Sequence, residues 1–263
     1  PDFAVRIVPI VGGSGSADAG LVLEHADERV LLGMVRVDAL DDQEPHVRSV
    51  GHPPTSHVHV RHAPLAEVLQ ERDYATAIFG KWHLGWNWNA VVKPGAVKVV
   101  VGRRKTYRTE DIDWSKTIQD GPLDHGFDHY FGDTVINFPP YCWIEDDKVV
   151  EVPDIISDTA LFKPIKEGGW GFRPGPMISG WDPYTNIPVT TERGVKYIHD
   201  QAKTDDPFFL YFAYPSPHVP IIPNDEFDGK SQAGPYGDFV VETDDSCGKL
   251  LQALKNSGQD KTL

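Results

Sequence analysis

The chain has 263 residues, 40% hydrophobic and 11% aromatic, which suits one large α/β domain or two small ones with a real core. Its formal net charge of −14 argues against nucleic acid as the main partner, because phosphate binding needs a basic footprint, but leaves room for a local anion pocket. No run of about 18 apolar residues occurs, so no transmembrane segment is expected.

The N-terminus shows no basic region followed by an apolar stretch, so no signal peptide is expected either. It also lacks an initiating Met, which reads as a processed or partial chain. Residues 1–62 stand apart in composition: they contain no lysine, tryptophan or tyrosine, Phe3 is their only aromatic, and they hold six of the 11 histidines. The organisation expected is an atypical segment over 1–62, either genuine or foreign to the remainder, and a domain over 63–263.

From residue 64 the pattern becomes regular. "PLAEVLQERDY" sets Leu65, Val68 and Leu69 at helical spacing, with Pro64 tolerated at the first turn. "ATAIFGK" comes next as a short buried strand, making a helix–strand unit typical of α/β folds. "VKVVVGRR" is β-prone and "KTYRTEDIDW" reads as polar surface. Residues 132–186 are rich in Pro, Gly and aromatics, the pattern of a long surface excursion of the kind that often carries function. "VTTERGVKYIHDQA" predicts a helix packed through Val195 and Ile198, and "PFFLYFAY" a strand buried on both faces, as in a parallel sheet. "YGDFVVETDDSCGKLLQALKNSG" predicts a helix facing the core through Val240, Cys247, Leu251 and Leu254, closed near Gly258. The closing "DKTL" reads as the start of a further strand.

Three residues sit where chemistry is expected. Lys81 and His83, in "IFGKWHLGW", come just after a strand end, and strand alternation turns them to one face with Trp82 on the other. Such a pair can hold an anion, and the same spacing also suits surface residues. His218, in "SPHVP", comes after the second strand between prolines that stiffen its backbone; packing in a Pro-rich loop is the plainer account. In α/β sheets, however, ligands gather beyond the carboxyl ends of strands, where all three belong. "DHGFDH" (Asp124, His125, Asp128, His129) has metal-ligand residue types, but a tight turn at Gly126 accounts for it more simply. His52, His57, His59 and His62 show no defensible ligand geometry. Cys247 falls on an apolar helical face and reads as core.

These segments carry a family likeness. "DYATAIFGKWHLGW" reproduces most of a sulfatase signature, "DHGFDHYFG" resembles the family's HGFD segment, and "PFFLYFAYPSPHVPIIP" looks like the strand and loop of its second active-site histidine. "GKSQAGPYGDFVVETDDSCGKLLQAL" is similar to the family's next helix, especially among arylsulfatases and galactosamine-6-sulfatases. The likeness covers residues 64–263 in order. It implies an alkaline-phosphatase-like α/β/α sandwich with a mixed, mostly parallel sheet, here truncated, and hydrolysis of organic sulfate esters on aryl or carbohydrate substrates. It also implies catalytic roles for Lys81 and His83, holding nucleophile and sulfate, and for His218, contacting sulfate and assisting the leaving oxygen.

The same resemblance implies a formylglycine made from C-x-P-x-R and a calcium ion held by an Asp-Asp and an Asp-Asn pair, hard oxygen ligands suited to that ion. No C-x-P-x-R or serine version occurs in the chain, and the calcium ligands are not recognised in it. The expectation is therefore a sulfatase-like chain that does not turn over substrate by itself. Alternatives are a non-catalytic binder of sulfated glycans, a phosphate or phosphonate ester hydrolase of the same superfamily, and a truncated or frame-shifted product.

Overall fold

The computed structural model describes residues 6–10, 30–35 and 65–259. In chain order its strands are β1 (Arg6–Ile10), β2 (Val30–Val35), β3 (Ala75–Gly80), β4 (Val99–Val101), β5 (Arg104–Thr106), β6 (His129–Gly132), β7 (Ile144–Glu145), β8 (Lys148–Val149), β9 (Ile155–Ile156), β10 (Pro176–Met177) and β11 (Phe208–Ala213). The helices are α1 (Leu65–Gln70), α2 (Asn186–Gln201) and α3 (Gly234–Asn256).

Seven strands form one sheet in the order β1-β2-β11-β3-β6-β7-β8. The pairs from β1 to β6 are parallel, and β7 and β8 add an antiparallel edge. This is the mixed, mostly parallel α/β sheet expected. Its centre explains the unbroken apolar runs in the sequence. Ala77, Phe79, Leu210 and Phe212 pack on one face with Ile198 of α2 and Leu250 and Leu254 of α3. Ile78 and Phe209 lie on the opposite face, with Tyr130 and Trp82 beside the former and Ala66 and Leu69 of α1 beside the latter. Strands covered on both faces have no polar side to alternate with.

Three expectations need correction. The buried side of α1 runs through Ala66 and Leu69, whereas Leu65 is exposed. The buried side of α3 runs through Phe239, Glu242, Ser246, Leu250 and Leu254, while Val240 is exposed and Cys247 and Leu251 only half-buried. The cause is that α3 buries polar side chains that have partners. Asp238 accepts from the backbone N–H groups of Gly229 and Ser231, and Glu242 from Asn224. An apolar-only template rotates such a helix. Finally, residues 132–186 are not a surface excursion. Tyr141, Cys142, Met177 and Trp181 build a core of their own, and β7 and β8 extend the main sheet.

Candidate functional site

The site is assembled by glycines at strand ends. Gly80 ends β3 at φ +104°, and a Cβ there would lie 2.1 Å from the Ala213 carbonyl oxygen at the end of β11. A Cβ on Gly132, at the end of β6, would lie 1.9 Å from the Gly80 carbonyl oxygen. Only glycine allows these backbones to approach so closely. The Tyr130 hydroxyl joins the same ends, donating to the carbonyls of Gly80 (3.1 Å) and Asp133 (2.5 Å). The Lys81 N–H donates to the Ala213 carbonyl and the Trp82 N–H to that of Thr134. Because β3, β6 and β11 are parallel, Lys81, Asp133 and His218 all leave the sheet at its carboxyl edge.

Lys81 is buried and His83 stands at the solvent edge. Partial burial lowers the His83 pKa first, and the charges of Lys81, His218 and Arg173 lower it further. The structure therefore brings together all three residues singled out in sequence, with Arg173 added. Trp82 turns the other way, stacking on His125 at 5.6 Å within the core beneath the sheet. Phe138 lies between two members of the cluster. Its ring meets the His83 ring edge-on at 5.5 Å, and the Arg173 guanidinium sits 3.5 Å from its centroid. His218 Nδ1 lies 2.5 Å from the Val219 carbonyl oxygen. A carbonyl can only accept, so Nδ1 carries the proton and Nε2 is the nitrogen left for a ligand.

Beneath this wall lies Asp133, 2% exposed, with the Asn186 amide near its carboxyl group but outside the geometry of a full hydrogen bond. Burial pushes its pKa up to about 6, against the opposing pull of the Asn186 amide and the Lys81 ammonium. Sequence reading passed over Asp133 and Arg173. Asp133 has a usable signal, since it comes directly after the glycine of a strand as Lys81 does, but the four residues of β6 close the "DHGFDHYFG" segment, which carries the family likeness and stops one residue short of it. Arg173 lies far along the chain in a Gly/Pro-rich run, and nothing local marks it.

The other candidates have structural roles. Gly126 adopts φ +84° and closes the turn predicted there, and a Cβ on it would strike the Glu67 backbone at 2.4 Å. Asp128 accepts from the backbone N–H and hydroxyl of Thr76, and His129 pairs with Asp146. His52, His57, His59 and His62 lie outside the described residues. Among the described residues, no three His, Cys, Asp or Glu side chains are grouped to hold a metal ion. Cys142 is fully buried, and burial drives its thiol far above the ordinary range. Cys247 is half-buried against the main core with its pKa raised by the same cause. Neither is an activated thiol.

The profile of the sulfatase family matches residues 38–263. The chain belongs to the sulfatase family. It is 30% identical over 197 residues to N-acetylgalactosamine-6-sulfatase of Mus musculus, covering 75% of this chain and 30% of that protein. It is 25% identical over 207 residues to an N-acetylgalactosamine-6-O-sulfatase of Bacteroides thetaiotaomicron, covering 72% and 39%. With arylsulfatase A of Homo sapiens it shares 26% identity over 201 residues, covering 74% and 32%. This sulfatase chain therefore spans about a third of the length of such relatives. A solved structure from work on glycosaminoglycan metabolism by Bacteroides thetaiotaomicron, labelled a 6S-sulf protein, superposes with TM-score 0.52 at 23% identity, covering 73% of this chain and 42% of that one. That likeness shows the fold, the alkaline-phosphatase-like architecture of the sulfatases.

Proposed function

We propose that Lys81, His83 and His218 form a sulfate-recognition wall for sulfated carbohydrates, of the kind a sulfuric ester hydrolase uses. The observation that carries this reading is the convergence of Lys81, His83, His218 and Arg173 at the carboxyl edge of a parallel sheet. Hydrolysis of a sulfate ester moves negative charge onto the bridging oxygen and keeps it on the non-bridging ones. Lys81, a compact buried cation, answers the non-bridging oxygens. His218 Nε2, when protonated, donates to the bridging oxygen of the bound ester. His83 adds a donor at the solvent edge.

The attacking group is a separate matter. The described residues supply no thiol with thiolate character, and the sequence has no C-x-P-x-R. We therefore assign this chain recognition of the sulfate group without turnover. The carbohydrate half of the reading leans on the relatives that act on N-acetylgalactosamine-6-sulfate.

The test is calorimetric titration of the chain with N-acetylgalactosamine-6-sulfate and with unsulfated N-acetylgalactosamine, beside a turnover assay with an aryl sulfate. Sulfate-dependent binding should fall about tenfold to a hundredfold in Lys81→Met and in His218→Gln, as expected for loss of one charge-assisted hydrogen bond. Equal affinity for the two sugars would sink the recognition assignment. Aryl sulfate turnover that His218→Gln abolishes would overturn the assignment of recognition alone, and preference for the matching aryl phosphate would move the site to phosphate esters.

A further inference from the structure

Lys81 and Asp133 are neighbours by register. β3 pairs in parallel with β6 through Ala77 and His129, Ile78 and Tyr130, and Phe79 and Phe131. Two steps further along the same register Lys81 falls beside Asp133, on chains that lie about 5 Å apart in a sheet. The two chains stay together past the strand ends: a Cβ on Gly132 would lie 1.9 Å from the Gly80 carbonyl oxygen, and the Trp82 N–H donates to the Thr134 carbonyl. Lys81 and Asp133 are 5% and 2% exposed, so a cation and a carboxyl group stand together below the surface at the carboxyl edge of the sheet.

The other described groups that act on Asp133 are uncharged. β6 contributes the Tyr130 hydroxyl, which donates to the Asp133 backbone carbonyl. The segment after β6 contributes Tyr141 and Cys142. Burial drives these two and Tyr130 far above their ordinary ranges, so all three are neutral near neutral pH. The first residue of α2 contributes the Asn186 amide, 1% exposed. Further out, Lys81 acts on His83 and Arg173 on Tyr141. The charge that meets Asp133 is that of Lys81, and it opposes burial, which favours the neutral carboxyl group.

Lys81 therefore serves two anions. An ester sulfate docked on it brings a fixed negative charge to a buried site that already holds a carboxylate, and like charges sharing one site disfavour each other. A sulfate monoester stays ionised throughout the ordinary pH range, so the carboxylate is the partner that yields, by taking a proton from solvent. We propose that Asp133 is a positioning residue for sulfate recognition that works through Lys81: docking of sulfate on Lys81 drives a proton onto the Asp133 carboxylate, which frees the ammonium for the ligand. Linkage makes the effect reciprocal, so protonation of Asp133 raises sulfate affinity by the factor by which bound sulfate raises its affinity for the proton. This rests on the recognition role assigned to Lys81, and the experiment separates the two.

The experiment uses the full chain and N-acetylgalactosamine-6-sulfate. Infrared difference spectra, bound minus free, read the carboxyl group directly. Near neutral pH the wild type should gain the C=O band of a protonated carboxyl group on binding, and Asp133→Asn should not. Calorimetry in bis-tris, imidazole and Tris, which differ in heat of ionisation, counts the protons taken up. His83 and His218 can take up protons as well, so the difference between the two proteins is what counts. Asp133→Asn should take up about half a proton less per sulfate than wild type near neutral pH. At about pH 8 it should bind about tenfold tighter, the usual scale of coupling between sites, and the two affinities should converge in acid, where Asp133 is already protonated. A wild type that binds sulfate without gaining the carboxyl band overturns the proton step. A variant that binds more weakly at every pH overturns it too, because Asp133 would then be a plain ion-pair partner holding Lys81. Lys81→Met separates the readings: weakened binding there, with no carboxyl band in the wild type, leaves the sulfate wall standing and removes the proton step, whereas undiminished binding removes both.

Discussion

Replacing Asp133 by Asn should stabilise this protein at neutral pH and leave it unchanged in acid. Asp133 is 2% exposed, and the nearby Asn186 amide lies outside the geometry of a full hydrogen bond to its carboxyl group. Burial raises its pKa from 3.8 to about 6, even with the Lys81 charge and the Asn186 amide pulling the other way. A tenfold change in a protonation equilibrium corresponds to about 1.4 kcal/mol, so ionised Asp133 costs the fold about 3 kcal/mol. Proton binding sets the direction: between these two values the folded chain holds a proton that the unfolded chain releases, so stability falls as pH rises. Below about pH 4 both states are protonated and the penalty vanishes; above about pH 6 it is fully present. The attraction of Lys81 is already contained in the raised pKa, so the neutral isostere should recover most of the penalty. Urea unfolding of wild type and Asp133→Asn across about pH 4 to 8 measures it, since other groups titrate alike in both and cancel in the difference. The curves should converge in acid and separate to about 2–3 kcal/mol in favour of the variant near pH 8. A variant less stable than wild type near pH 8, or a gap that does not change with pH, would refute the reasoning.

Gly80→Ala should cost about 3 kcal/mol or more, because its Cβ would lie 2.1 Å from the Ala213 carbonyl at φ +104°; Gly169→Ala, where a Cβ meets nothing, should stay within about 0.5 kcal/mol, and equal urea midpoints would contradict the close-approach argument. The lowered pKa of His83 means that its contribution to stability is present above 6.5 and is lost as pH falls through the depressed value. A bound sulfate should raise that pKa, so sulfate affinity should grow from about pH 7.5 to 5.5 and the His83 ring proton should titrate at higher pH with sulfate than without; coincident titration curves would remove His83 from the site.

Much of the fold was legible because its strongest signals are local. "ATAIF" and "FFLYF" are apolar without alternation, since both faces of β3 and β11 are covered, and a run of that kind can be read from composition alone. Lys81, His83 and His218 were legible for a related reason: each comes just after such a strand, and parallel strands deliver the residues beyond their ends to one edge. The faces of α1 and α3 were misread because their burial is decided by neighbours. Asp238 and Glu242 are inside because the backbone N–H groups of Gly229 and Ser231 and the amide of Asn224 meet them there, and a hydropathy template sees only charge. The packed layer formed by residues 132–186 was hidden by its prolines and glycines, which mark turns but do not show whether the aromatics between them meet.

The sequence by itself thus determined the class of fold and the family likeness, and marked three residues of the candidate site, because these rest on patterns within a few residues. Only the tertiary structure decided why Gly80 and Gly132 are glycines, that Arg173 joins His83 across Phe138, and that Asp133 lies buried near Lys81. Each of these depends on a distance between residues remote in the chain, and chain folding sets such distances.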